Sequence, residues 1–454
     1  MHVPVAPPPF SAVLRDVLEK GPDEFVRLTA VVAEVDAQGR YLHWDKLRHL
    51  PPPAGLTSEQ WWAGTKLRRR ALYTPLPFRA VRGNELLYCQ PAVVQAQLHW
   101  LDLNASGSLR TDGAITDEKT RSTYLIRSLM EEAINSSQLE GASTTQSVAK
   151  EMLRQERAPN TKSEQMILNN YRAMRFIRDV RQDPLTPAVV FELHHILTQG
   201  TLEDDGQAGR FRRDDEPISV HDNQTHEVLH EPPHAAELPA RLQALCDFAN
   251  AGSQVGKSEG VFLHPVIRAI TLHFMLGYDH PFCDGNGRTA RALFYWSMAR
   301  QGYWLTEFLS ISGVIKQAPV RYAQAFLHTE SDDNDLTYFL IHQLQVVRDA
   351  VASLHDYLRV KAQEISRAEQ LLTLNPRLKD KLNFRQLSLL RHALKNPRFS
   401  YVIEEHQRSH GVSYDIARKD MLYMADVLRL LDKARQGKRY LFVVPDDLER
   451  RIEG

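Results

Sequence analysis

Apolar positions recur at helical spacing through the middle of this chain, and the places where the period fails divide it. EKTRSTYLIRSLMEEAINSSQLEG sets Ile126, Met130, Ala133 and Ser137 on one face, with Gly141 as a stop. PLTPAVVFELHHILTQG and AAELPARLQALCDFANAG predict two further helices closed by glycine. HPVIRAITLHFMLG predicts a helix entered at Pro265 and closed at Gly277, and RTARALFYWSMARQG one closed at Gly302. DNDLTYFLIHQL, from Asp333, predicts another, capped by Asp335 or Thr337. The segment DDEPISVHDNQTHEVLHEPP loses this period. Its short β-prone pieces around Asp222 and Asn223, bounded by prolines, predict a surface hairpin.

The flanks read differently. In residues 1–110, PPPFSAVLRDVLE and PPPAGLTSEQWWAGTKLRRRAL predict helices entered through proline, while RALYTPLPFRAVRGNELLYC is extended and rich in turns. No chemistry stands out there. A docking or dimerising accessory region is the expectation, which leaves a homodimer open. From residue 381 three helices follow closely: NFRQLSLLRHAL, SYVIEEHQRSHG and SYDIARKDMLYMADVLRLL. DKARQGKRYLFVV then turns at Gly437 and returns as a strand. TLNPRLKDKL marks the boundary, so the expected division is 1–110, 111–370 and 381–454, in line with about three domains for this length.

Composition narrows the class. Lys+Arg and Asp+Glu balance at 56 each, so bulk charge does not call for nucleic acid, and any such function needs a local patch. Cys89, Cys246 and Cys283 are far apart and lack CxxC spacing, which argues against a disulfide framework or a thiolate zinc site and for a reducing compartment. The start has no basic stretch followed by an apolar run, and no apolar run approaches the roughly 18 residues that span a bilayer. A cytoplasmic protein with no membrane partner is therefore expected.

The chemistry concentrates in HPFCDGNGRTAR, His280 to Arg291. Gly285 and Gly287 let the backbone bend and approach a ligand, and Asn286 tolerates similar conformations. They lead into a helix whose first N–H groups and dipole favour an anion, so the loop reads as a phosphate nest. Arg288 and Arg291 lie three apart and reach a common side. Asp284 is a hard oxygen ligand that suits Mg²⁺ bridging phosphates. His280 can take a proton from a hydroxyl at neutral pH, and Phe282 reads as an apolar pin. Together these residues point to a nucleotide polyphosphate with a base beside it.

This H-P-F-x-D-G-N-G-R-x-x-R pattern, complete here, resembles the signature of the Fic family. The resemblance implies a mainly α fold: a Fic-type helical core over about 115–350 with a small β-hairpin flap. It implies transfer of AMP from ATP to a protein hydroxyl, self-modification included, with Mg²⁺ and release of pyrophosphate. His280 would be the base and Asp284 would hold the metal. Gly285, Asn286 and Gly287 would cradle phosphates, and Arg288 and Arg291 would pair with the distal ones. Glycine at 287 favours nucleotidyl transfer over the kinase chemistry of Doc-type relatives, which carry lysine there. It leaves ATP, UTP and CTP open. The hairpin at 217–230, with Ile218, Val220, Val228 and Leu229, would be the target-docking flap, registering a target by β-augmentation.

SSQLEG matches the family's inhibitory pattern, with Ser136 and Glu140 four apart on one helix face. The resemblance implies that Glu140 pairs with Arg291 and withholds it from the γ-phosphate. If buried, that pair would cost roughly 3–5 kcal/mol to break. Some family members use the same glutamate to position water for AMP removal, and that alternative stays open. His194 and His195 are adjacent and point apart, and the spacing of His264, His273 and His280 fits no common zinc site. Tyr295 and Tyr322 are candidates for the adenine side or for core. The C-terminal unit resembles a winged helix–turn–helix. Ser413 would cap a helix burying Ala417, Met421, Met424 and Leu428, with Tyr414, Arg418 and Lys419 outward and Lys433, Arg435, Lys438 and Arg439 at the wing. DNA is thus a candidate partner, and a regulator whose Fic core only senses nucleotide is the competing function.

Overall fold

The computed structural model describes residues 3–53, 55–106, 118–222, 225–251, 262–373, 375, 378, 381–436 and 439–453. The chain forms two compact units, Met1–Leu354 and His355–Gly454.

The first unit begins with α1 (Phe10–Glu19), α2 (Pro22–Val31), α3 (Trp44–Leu47) and α4 (Ser58–Arg70), which enclose a cluster of Val17, Leu28, Leu47 and Trp62. Thr57 and Gln60 close the start of α4 with a reciprocal capping box. The extended stretch is an antiparallel hairpin, β1 (Thr74–Arg79) with β2 (Glu85–Tyr88), followed by α5 (Ala92–Leu101). Residues 1–110 and the helical body as far as Leu354 share one unit. Lys66 on α4 reaches Asp332 at 2.6 Å, and Tyr41 and Tyr73 donate to Asp335 at 2.5 and 2.8 Å.

The helical body comprises α6 (Glu118–Leu139), α7 (Gln146–Gln155), α8 (Lys162–Asp179), α9 (Pro187–Thr198), α10 (Leu238–Asn250), α11 (Pro265–Asp279), α12 (Asn286–Arg300), α13 (Ile311–Gln317), α14 (Pro319–Ser331) and α15 (Thr337–Thr373). Along the described part of α6, burial begins at Ser128. Met130, Ala133 and Ser137 face inward as expected, but Ile126, a turn earlier, is exposed. Helix α11 is buried on nearly all sides, as its continuous apolar sequence requires. It packs on α12, and Ile270, Phe274, Phe282, Phe294 and Trp296 join one core. Gly277 does not end α11. A Cβ there would stand 3.0 Å from Phe326, so this glycine serves close packing, and the helix runs on to Asp279. Asp335 caps α15, accepting from Thr337 N at 3.0 Å. Between α9 and α10 lies the expected hairpin, β3 (Val220–His221) antiparallel to β4 (Val228–His230); Asn223 falls outside the described residues.

The second unit has α16 (Phe384–Lys395), β5 (Ser400–Tyr401), α17 (Ile403–His410), α18 (Tyr414–Leu422), β6 (Asp432–Gln436), β7 (Arg439–Val443) and α19 (Leu448–Glu453). Its strands order β5-β7-β6, all antiparallel. Ser413 caps α18, and Ala417, Met421, Met424 and Leu428 are buried. The last expected helix is not continuous, passing from α18 into a π-helical turn at Tyr423–Val427. Gly437 and Lys438 lie outside the described residues.

Candidate active site

The loop between α11 and α12 is fastened from several sides. His280 caps α11 in the left-handed region (φ 43°). Its Nδ1 lies 3.2 Å from the Gly277 carbonyl, which can only accept, so Nδ1 carries the proton and Nε2 keeps its lone pair. Burial lowers the proton affinity of this imidazole below the ordinary histidine value, against the opposing effect of that hydrogen bond. His280 is thus held neutral in the tautomer a base needs. Arg212 grips the loop from outside, donating from Nε to His280 O and from its backbone to Pro281 O, each at 2.9 Å. Phe282 is fully buried. The side chain of Asn286 folds back on Phe282, accepting from its N–H at 3.0 Å and donating to its carbonyl at 2.8 Å. Asn286 can therefore offer a phosphate its backbone but not its amide.

His194 is a further anchor. Gly209 N donates to its Nδ1 at 2.9 Å, so Nε2 bears the proton and donates to Asp284 O at 2.9 Å. The ring stacks on Phe282 with centroids 3.8 Å apart, and burial pushes its pKa down to about 4. The two glycines differ in use. Gly285 has φ +82°, and a Cβ there would meet Thr198 at 2.9 Å. Gly287 is helical, and a Cβ on it would collide with the Glu140 carboxylate and crowd Arg291. That carboxylate therefore lies over the first turn of α12, where free N–H groups await an anion.

Glu140 Oε1 accepts from Arg291 Nη2 at 2.8 Å. Ser136 holds the same guanidinium twice, its Oγ accepting from Nε at 2.9 Å and its carbonyl from Nη2 at 3.1 Å. Burial opposes the Arg291 charge, but Glu140, Tyr322 and Glu132 together outweigh it and raise the pKa. Arg288 is engaged elsewhere: it donates to Leu197 O at 3.1 Å and to Asp284 Oδ1 at 3.2 Å. The Asp284 carboxylate is half exposed and also accepts from Gly285 N.

A cavity of about 250 Å³ opens here, lined by His280, Gly287, Arg291 and Glu140, by Val220 and Leu229 of the hairpin, and by Tyr322, Phe326 and Glu330 of α14. An open groove of about 710 Å³ on the second unit, beside α16 and α18, has no comparable base or anion cup. The structure thus joins His280, Gly287, Arg291, Ser136 and Glu140. Arg288 and Asp284 are not among the residues lining the cavity. Of the hairpin residues, Val220 and Leu229 face it, whereas Ile218 is half-buried and Val228 is exposed. Tyr322 lines the cavity and meets His273 at 2.9 Å; Tyr295 is core, bonded to Leu309 and Ile311. His264 meets Asp102 at 3.2 Å, and no group of three metal-ligating side chains is found among the described residues. Sequence reasoning passed over His194 as an anchor, and missed Arg212, His230 and Glu330. Each acts through a contact distant in sequence, and no local spacing signals it.

The arrangement is a helical body whose central turn sets a neutral imidazole beside an anion cup at a helix start. Comparison with known proteins fits that class. The sequence model of the Fic/DOC family matches residues 184–298. A protein adenylyltransferase Fic of Drosophila willistoni is 34% identical over 133 residues, 29% of this chain and 23% of the relative. That of Drosophila melanogaster is 32% identical over 133 residues, with 29% and 24% covered. The chain spans about a quarter of the length of these curated relatives. A Fic family protein from Desulfovibrio desulfuricans G20 has the same fold, with a TM-score of 0.50 at 18% identity over 78% of this chain and 96% of that one. Residues 184–298 are thus similar to the Fic/DOC family, over about a quarter of the chain.

Proposed function

We propose that this protein transfers AMP from ATP to a hydroxyl side chain of a protein, itself included, and that the form described here is its restrained form. His280 Nε2 takes the proton of the attacking hydroxyl. The oxygen bonds to the α-phosphorus, the bond to the β-phosphate oxygen breaks, and pyrophosphate leaves. The first turn of α12 and Arg291 stabilise the phosphate charge. A half-exposed carboxylate fits Mg²⁺ held mainly by phosphates, so Asp284 would hold the ion, which would supply charge neutralisation there. Arg288, bonded to Asp284, adds positive charge for the distal phosphates.

One observation carries the restraint: the Glu140 carboxylate sits on Arg291 and over Gly287. ATP must displace it to reach both. With labelled ATP, Glu140→Gly should gain label, one adenylate by mass spectrometry, and adding His280→Ala should remove it by a factor on the order of 10²–10⁴ while ATP still binds. Equal, strong labelling of the wild type and Glu140→Gly ends the restraint; label that survives His280→Ala ends the mechanism.

Val220 and Leu229 on the cavity rim support reading the hairpin as the target-docking flap, with Ile218 and Val228 beside them. The order α16-β5-α17-α18-β6-β7 supports reading the second unit as a winged helix. Tyr414, Arg418, Lys419 and Arg439 are exposed on it, while Lys433 is paired with Asp426 at 2.7 Å. DNA contact by this unit predicts retention that falls steeply with salt; none at low salt ends that reading. Three free cysteines accord with a cytoplasmic setting.

A further inference from the structure

Two histidines meet the C-terminal end of α11, and one of them is the base. The last carbonyls of a helix lack helical partners and carry the negative end of its dipole. Gly277 O accepts from His280, and the next carbonyl, Tyr278 O, lies 2.6 Å from Nε2 of His230. His230 ends β4, paired with Val220 across the hairpin. Its Nδ1 lies 2.7 Å from Glu330 Oε2 on α14. A carbonyl and a carboxylate both accept, so beside an ionised Glu330 both ring nitrogens donate and the ring takes the imidazolium form. It is 8% exposed and lines the same cavity as His280.

We propose that doubly protonated His230 is the positioning residue that fastens the hairpin to the base-bearing end of α11, so that docking of a target and abstraction of its proton share one anchor. This rests on reading the cavity as an AMP-transfer site. A neutral ring could satisfy one acceptor only, and the hairpin would lose either Glu330 or Tyr278.

The groups facing the ring set its titration. Glu330 on α14 and Asp279 on α11 favour the charge, although Arg241 on α10 holds Asp279 at 2.7 Å; His280 opposes it. Burial also works against the charge, but the Glu330 hydrogen bond and charge, with the Tyr278 carbonyl, outweigh it and raise the pKa. His280 is shifted the other way. The base is ready only above its lowered pKa, and the hairpin is fastened only below the raised pKa of His230. Transfer should therefore follow a bell in pH whose alkaline limb belongs to His230.

The test uses full-length Glu140→Gly, alone and with Glu330→Gln, which keeps the shape at 330 and removes the charge. Imidazole ¹⁵N shifts report protonation of His230. Hydrogen exchange of residues 225–231, corrected for intrinsic rate, reports the hairpin. Self-labelling by ATP reports transfer, and calorimetry with ATP reports nucleotide affinity. Both ring nitrogens should be protonated at neutral pH. Hairpin exchange should rise about tenfold or more as the proton is lost, and self-labelling should fall over the same interval. Glu330→Gln should move all three transitions to lower pH, with transfer read at ATP concentrations that calorimetry shows to be saturating. A neutral His230 throughout pH 6–8, or hairpin exchange indifferent to its titration, overturns the proposal. If Glu140→Gly transfers no AMP, the transfer reading falls, and the ring shifts and hairpin exchange still decide whether His230 is a latch.

Discussion

Two ion pairs in the first unit use the same chemistry to opposite ends. Lys66 and Asp332 are 1% and 2% exposed, and Lys66 also reaches Asp332 O and Tyr73 at 3.3 Å. Beside them Arg69 stacks over Tyr41 and binds Tyr338, which donates to Asp332 at 2.7 Å. Arg291 is as buried, but its partner Glu140 is 28% exposed on a cavity wall. The first pair has no exit. The second has one partner on an open wall, and Ser136 would keep hold of the cation if that partner left. A strut needs both charges enclosed, whereas a brake needs one side open to the competing ligand.

The widest test of this contrast is to break the strut. Lys66→Met leaves Asp332 charged and buried without its cation, and should cost about 3–5 kcal/mol in urea unfolding of the full chain. A loss under about 1 kcal/mol would mean that the network is as separable as the brake.

The cup side has a neutral ring, His194, among its anchors, and pH should expose this. His194 is held neutral with a pKa of about 4, below its unfolded value. A depressed histidine contributes stability above the unfolded pKa, lost as pH falls towards the folded one. From pH 7 to pH 4 that should remove about 3 kcal/mol. His194→Gln can still donate to Asp284 O and accept from Gly209 N, but does not titrate. Its unfolding midpoint should fall less over that range; identical slopes in both proteins would remove His194 from the account.

Breaking the brake should cost less stability still. The sequence allowed roughly 3–5 kcal/mol if the pair were buried. With Glu140 partly exposed and Ser136 retained, Glu140→Gly should lose only about 1 kcal/mol, while self-labelling rises on the order of tenfold or more. A large stability loss with no gain in labelling would make Glu140 a second strut.

Why one pair was legible and the other was not follows from distance along the chain. His280 to Arg291 forms one turn and one helix start, so residue types and spacing already carry its geometry, and SSQLEG keeps Ser136 and Glu140 on adjacent turns of one face. Lys66 and Asp332 are 266 residues apart, and neither sits in a pattern that names the other. Gly277 read as a stop because local rules see a glycine near a helix end; the Phe326 ring that requires it arrives from α14. Arg288 and Arg291 looked equivalent at their spacing, yet α9 takes one and α6 the other. His230 looked like one more polar residue in a hairpin until two acceptors from separate helices met its ring.

The smallest effect concerns what remains when the brake is off. In the wild type Arg291 donates once to Glu140 and twice to Ser136, and Tyr322 of α14 also faces it. Ser136→Ala removes the one at Nε and leaves the carbonyl, which should cost about 1 kcal/mol and scarcely alter the low activity proposed for the restrained form. In Glu140→Gly the same change leaves one carbonyl as the hold of α6 on Arg291, so self-labelling should drop by roughly three- to tenfold through weaker ATP affinity rather than through turnover at saturating ATP. The effects on labelling would then be non-additive. If Ser136→Ala lowers labelling by the same factor with and without Glu140, Ser136 merely packs the helix, and the cation of the brake is held no differently from that of the strut.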